Sequence, residues 1–209
     1  MNQWKGACVV AIFFRSWMDD IGEKPICYLL SLFLLAVGIA CGLFFPRFLS
    51  VGDQAAIVEE TATVVEATVK SSLSVKGSLL SSLWTNTRIA LVIAFAGGFW
   101  FGAPFALIAQ AVKGFGMGIF LYAITAGYGG LGSFAGLLYL LPQSIFYLAG
   151  YTTLCACSLH RSMGRLRGNK IPRSQYLLEV LPPLLGIGLG IVVECTISPF
   201  ILKMAGPIL

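Results

Sequence analysis

The chain has 209 residues, of which 57% are hydrophobic and 11% charged, with a formal net charge of +5. Soluble domains carry about 25% charged residues, so this composition excludes an ordinary soluble domain, and the positive balance does not point to nucleic acid. Residues 25–46 and 89–112 carry no charge, nor does 114–160 apart from a terminal histidine. A helix crossing a bilayer needs about 20 apolar residues, so the fold expected is an all-α, polytopic membrane helix bundle with about five transmembrane helices.

Residues 1–24 are expected to form a cytoplasmic interfacial segment. The apolar patch at 7–14 is short, and Arg15, Asp19 and Asp20 follow it with no small-residue cleavage site, which favours a helix lying at the membrane surface over a cleaved leader. The transmembrane bundle then occupies 25–205, with its first span at about 25–45. Residues 46–87 are the sizeable polar segment. Glu59, Thr63, Glu66 and Lys70 fall on one helical stripe and Val58, Ala62, Val65 and Val69 on another, and Glu66 can pair with Lys70 one turn on. This predicts a helix, with a strand as the alternative because Val and Thr are frequent. Such a segment is either a solvated linker or a docking surface. A mere connection needs far fewer residues, which makes Glu59, Glu60 and Glu66 candidates for partner docking. Leu73, Leu79, Leu80 and Leu83 suggest an amphipathic approach to the next span.

The second span is placed at 83–101. It is interrupted by "FGAP" at 101–104, where Gly102 suits a tight turn and Pro104 the first turn of a new helix. The third span then covers 104–125 and carries Lys113 into mid-membrane; the alternative leaves Lys113 in a turn. "GYGGLGS" (127–133) is expected to turn the chain. Pro142 is expected to interrupt the next apolar run, giving a half-helix at 131–141 before a span at 142–159; one kinked helix is the alternative. A basic loop follows at 160–173, and the fifth span runs from Pro182–Pro183 to about Lys203. Five of the fourteen Lys and Arg lie in that loop, which predicts a cytoplasmic loop and N-terminus, an external 46–87 segment and an external C-terminus. The chain is thus expected to be a multi-pass protein of a bacterial cell membrane. Its partners would include the lipid bilayer, with anionic headgroups as possible ligands of the loop.

Glu194 is the lone charge in residues 180–199. A charge at mid-membrane costs at least about 2.5 to 3.5 kcal/mol, so Glu194 is expected to face the bundle interior and meet Lys113, Gln143 or both in one intramembrane polar cluster. The alternatives are a path for an ion or substrate lined by these residues, or a neutral, protonated Glu194. Glycine pairs at helical spacing (98 and 102, 114 and 118, 186 and 190) predict close helix contacts, within one chain or between copies of a homo-oligomer. The six cysteines form no CxxC motif and the single histidine, His160, sits in the basic loop. No metal, cofactor or disulfide framework is expected. Ser133, Ser144 and Ser198 lack an obvious base and Glu194 lacks a second acid, so no catalytic residues are assigned and the chain is not read as an enzyme.

Three motifs in order, "PFALIAQAVKGFGMG" (104–118), "LLPQ" (140–143) and "VECTISP" (193–199), resemble the stage II sporulation protein M family. Its members carry a Lys-Gly or Asn-Gly pair within a helix, a Leu-Pro opening a later helix, and a Glu with Pro five residues on. Asn86 also fits, and Gln143 resembles the sporulation branch, whereas much of the wider family has His there. The resemblance covers about 27–200, with no matching motif at 46–87. It implies a non-catalytic membrane scaffold that recruits the peptidoglycan-remodelling stage II sporulation proteins D and P to the septum during engulfment. A small transporter or channel component is the alternative, since some relatives have been suspected of transport.

Overall fold

A computed structural model describes residues 18, 21–69, 75–168 and 173–205, and every regular element in them is helical. The interfacial patch at 7–14, Lys70, and residues 169–172 of the basic loop lie outside the described residues. Helix α1 is Pro25–Phe44, with proline at its first position where a missing N–H costs nothing. A 3₁₀ turn, Phe45–Phe48, ends it. Helix α2 is Val51–Val69, so the helix rather than the strand forms in the polar segment. Its start is set by Ser50, whose Oγ accepts the Asp53 backbone N–H at 3.2 Å and donates to the Asp53 carboxylate at 2.6 Å. Helix α3 is Val75–Ala96 and α5 is Arg173–Ala205.

Helix α4, Gly102–Leu166, is two limbs joined at Gly129, the one interior residue with non-helical torsions (φ 66°, ψ −153°). Only glycine adopts that conformation readily. The limbs run antiparallel: the Ala103 N–H donates to Ser162 Oγ, and Gly136 lies against Ile124. The expected interruption at Pro142 does not occur, and the helix continues through it. A proline deletes one backbone hydrogen bond, which neighbouring helices can offset, whereas Gly129 reverses the chain. Pro182 and Pro183 are likewise inside α5 rather than at its start.

Contacts between named residues give the directions of the helices. Gly38 and Gly42 of α1 face the backbones of Ala111 and Phe115 in order, so α1 and the first limb run parallel. Asn86 meets Tyr147, and Ile93 meets Ser158, so α3 runs parallel to the second limb. Tyr176 reaches Ser158 and Gly190 rests on Tyr147, so α5 opposes both. Five rods therefore alternate in one bundle. Gly38 and Gly42 interleave with Gly114 and Gly118 so closely that a Cβ on any of the four would collide with the opposing backbone. Gly98 and Gly102, by contrast, are not a packing pair; Gly98 sits in the break between α3 and α4, and Gly102 opens α4.

That break, residues 97–101, corrects the expected second span: α3 begins at Val75 and stops at Ala96. Carbonyls at a helix end need partners, above all away from water. Ser158 donates to the Ile93 carbonyl at 2.7 Å and Tyr176 to that of Ala94 at 2.6 Å. Arg165 reaches the Gly98 carbonyl, and Ser162 donates to that of Trp100 at 3.0 Å. These donors come from residues assigned to the basic loop and its flanks, because α4 stays helical to Leu166 and ends only at Gly168, whose φ is 83°. Pro25–Phe48, Gly102–Gly130 and Gln175–Ile197 are long and apolar enough to cross a membrane. Their outward faces present Leu29, Phe33, Phe105, Ile108, Leu185 and Leu189, as a bilayer-facing surface requires.

Candidate functional site

Four rods converge on one buried polar cluster. Helix α3 contributes Ser82 and Asn86, the first limb of α4 Lys113, the second limb Tyr147 and Tyr151, and α5 Glu194. Lys113 Nζ donates to Asn86 Oδ1 at 2.6 Å, and Tyr151 OH donates to the same oxygen at 3.1 Å and to the Asn86 carbonyl at 3.0 Å. The Asn86 amide Nδ2 donates to Tyr147 OH at 3.1 Å and to Ser82 Oγ at 3.1 Å. Tyr147 OH and Ser82 Oγ both donate to Glu194 Oε2, the latter at 2.6 Å. The ammonium of Lys113 also lies over the Tyr147 and Tyr151 rings, at 4.6 and 5.3 Å from their centroids.

The cation and the carboxylate are thus joined through Asn86 and Tyr147, and among the described residues no ion pair links them directly. Relaying the charge through neutral groups gives each ion its own hydrogen-bond partners, which a buried charge needs. Gln143 takes a different place from the one expected. It is buried one turn before Tyr147, but its Oε1 has no hydrogen-bond partner. Gln110, one turn before Lys113, is fully buried with neither amide atom paired. Reading charges alone passes over Ser82, Tyr147 and Tyr151. The spacing of Gln143, Tyr147 and Tyr151 at successive turns was the available signal. A cavity of about 250 Å³ adjoins Lys113, walled chiefly by Leu35, Ile39, Leu141, Ile145 and Leu148.

Two further features frame the bundle. At one end, Lys24 Nζ lies 3.4 Å from Glu179, tying the start of α1 to the start of α5. At the other, α2 docks on the tip of the first limb: Tyr122 OH donates to Gln54 at 3.1 Å, and Val65 packs with Ile124. Glu59, Glu60 and Glu66 are exposed on α2. Among the described cysteines, Cys27, Cys155, Cys157 and Cys195 are buried and Cys41 exposed, none in a disulfide.

A family model described as stage II sporulation protein M matches residues 28–207. No curated protein and no solved structure matches the chain.

Proposed function

The chain belongs to the stage II sporulation protein M family, and on that premise we propose that this sporulation-related membrane protein is a non-catalytic scaffold. It crosses the bacterial cell membrane five times and holds peptidoglycan-remodelling proteins at the septum for thinning and engulfment. Its partners are the stage II sporulation proteins D and P. The N-terminus and the end bearing Arg161, Arg165 and Arg167 face the cytoplasm, where cations are retained; α2 and the C-terminus face outward.

The observation that carries this reading is the division of labour between the bundle and α2. Ser82, Asn86, Lys113, Tyr147, Tyr151 and Glu194 are engaged with one another across four rods, as an internal brace requires. Meanwhile α2 is anchored through Gln54 and Val65 and leaves three carboxylates exposed, as a docking surface requires. A transporter is the second reading, and the cavity beside Lys113 is what favours it. Its walls are mostly aliphatic, however, and offer an ion few successive ligands.

The test uses the full chain. Proteins D and P should co-purify with it from sporulating cells, loss of the gene should block engulfment, and the chain in proteoliposomes should pass no ions. Engulfment without the gene, or flux abolished by Lys113→Met with assembly intact, overturns the scaffold.

A further inference from the structure

The chain turns between α3 and α4 on residues 97–101, Gly-Gly-Phe-Trp-Phe, which lie inside the charge-free run 89–112. A connection that emerges into water ordinarily leaves its backbone polar groups to the solvent. Here the backbone is satisfied from within the protein. The carbonyls of Ile93 and Ala94 accept from the Ser158 and Tyr176 hydroxyls, and that of Gly98 accepts from Arg165. Ser162 serves both sides of the turn: it donates to the Trp100 carbonyl at 3.0 Å and accepts the Ala103 N–H at 3.1 Å. The carbonyls of Phe95, Ala96 and Phe99 accept the N–H groups of Gly98, Phe99 and Gly102 at 2.8, 3.0 and 3.3 Å. The turn is also packed tightly, since a Cβ on Gly97 would collide with the Tyr176 hydroxyl.

Its side chains point the other way. Phe95, Trp100 and Phe105 are 72%, 62% and 55% exposed. The rings form a ladder: Phe95 to Phe99 and Phe99 to Phe101 are each 5.3 Å between centroids, and Phe101 to Phe105 is 6.1 Å. Trp100 stands edge-on to Phe101 at 5.5 Å. The ladder runs on into the exposed Ile108 and Val112 of the first limb, which belong to the span Gly102–Gly130. A contiguous exposed apolar surface marks contact with lipid or protein rather than water. Irregular backbone is tolerated at membrane depth where protein satisfies it, and this turn meets that condition.

We infer that the α3–α4 turn is a lipid-contact surface held within one leaflet, with its aromatic ladder against the lipids where acyl chains meet headgroups, and that it does not emerge into water. Aromatic rings are favoured at that depth. Lipid suits the ladder better than a protein partner does, because the surface continues the bilayer-facing side of the first limb and residues 97–101 offer no polar side chain for a partner to pair with. The inference is independent of the scaffold reading and needs only that the bundle sit in a membrane, in either orientation.

Trp100 can report its own surroundings. Trp4→Phe, Trp17→Phe and Trp84→Phe leave it as the single tryptophan of the full chain, reconstituted in phosphatidylcholine vesicles. Phosphatidylcholine brominated high on its acyl chains should remove most of the Trp100 emission, bromines near the chain ends less of it, and aqueous acrylamide little. A spin label on Phe101→Cys, in a background without native cysteines, checks this with every tryptophan in place. Its relaxation should respond to oxygen, which dissolves in lipid, more than to a water-soluble nickel chelate, and a label on Arg167→Cys, at an exposed position past the turn, should show the reverse. Proteins D and P take no part in these measurements, so their outcome is separate from that of the scaffold test. Quenching by acrylamide but not by brominated lipid would put the turn in water and overturn the inference. Protection from both quenchers would mean that a second copy or another protein covers the ladder, and would overturn it equally.

Discussion

Asn86 touches more of the buried cluster than either ion does. Its side chain accepts from Lys113 and Tyr151 and donates to Tyr147 and Ser82, so its loss strands a cation inside the bundle. Removing one partner of a buried charge costs about 3–5 kcal/mol. Asn86→Leu is therefore expected to destabilise by about that amount, read as thermal unfolding in lipid–detergent micelles. Gln143→Leu removes an oxygen that has no partner and should be close to neutral or stabilising. Equal losses for the two variants would mean that the hydrogen bonds around Asn86 do not hold the rods. Lys113→Met combined with Glu194→Gln should recover part of what the single changes lose, because the charges share intermediaries; strict additivity would separate them. Lys113 and Glu194 could be found in the sequence because a charge in an apolar run has few explanations. Asn86 entered only through the family resemblance, and Tyr147 and Tyr151 not at all. A phenol or an amide is affordable in such a helix, and only the fold shows what it reaches.

At the scale of elements, the expected glycine turn formed and the expected proline break did not. Pro142 suggested a break and lies inside a helix, whereas Gly129 turns α4 back on itself with φ at 66°. The "GYGGLGS" stretch did predict a turn, but several glycines compete there and local sequence does not choose among them. Gly129→Ala should cost about 1–3 kcal/mol, the penalty for a side chain in that region of torsion space. Pro142→Ala should restore a backbone donor within a continuous helix and cost far less. Unfolding curves that rank the two the other way would place the hinge at Pro142. The glycines at 114 and 118 were legible as a close-contact pair, but their partners Gly38 and Gly42 were not singled out. Spacing marks a face without naming what it meets. Gly118→Leu would drive a side chain into the backbone of α1 and should disrupt the bundle, seen as loss of the folded species on gel filtration.

For the molecule as a whole, the apolar runs made an all-helical membrane bundle readable, and the alternation of five rods follows from contacts that no run of hydropathy contains. Helix α3 shows why: Thr85, Asn86, Thr87 and Arg88 interrupt its apolar pattern, yet it lies against both limbs of α4 and against α5. The proposed orientation puts α2 outside and the end of α4 inside. In a background without native cysteines, an impermeant thiol reagent should label Glu60→Cys but not Arg167→Cys in intact cells; the reverse pattern would invert the protein and remove α2 from the wall. Given that orientation, the central claim is that α2 presents its carboxylates to wall-remodelling partners. Its most direct measurement is capture of proteins D and P by the triple variant Glu59→Lys, Glu60→Lys and Glu66→Lys, compared with the parent chain at equal membrane abundance. The account predicts capture reduced at least severalfold with the bundle's thermal stability retained. Undiminished capture by a normally inserted triple variant would contradict it.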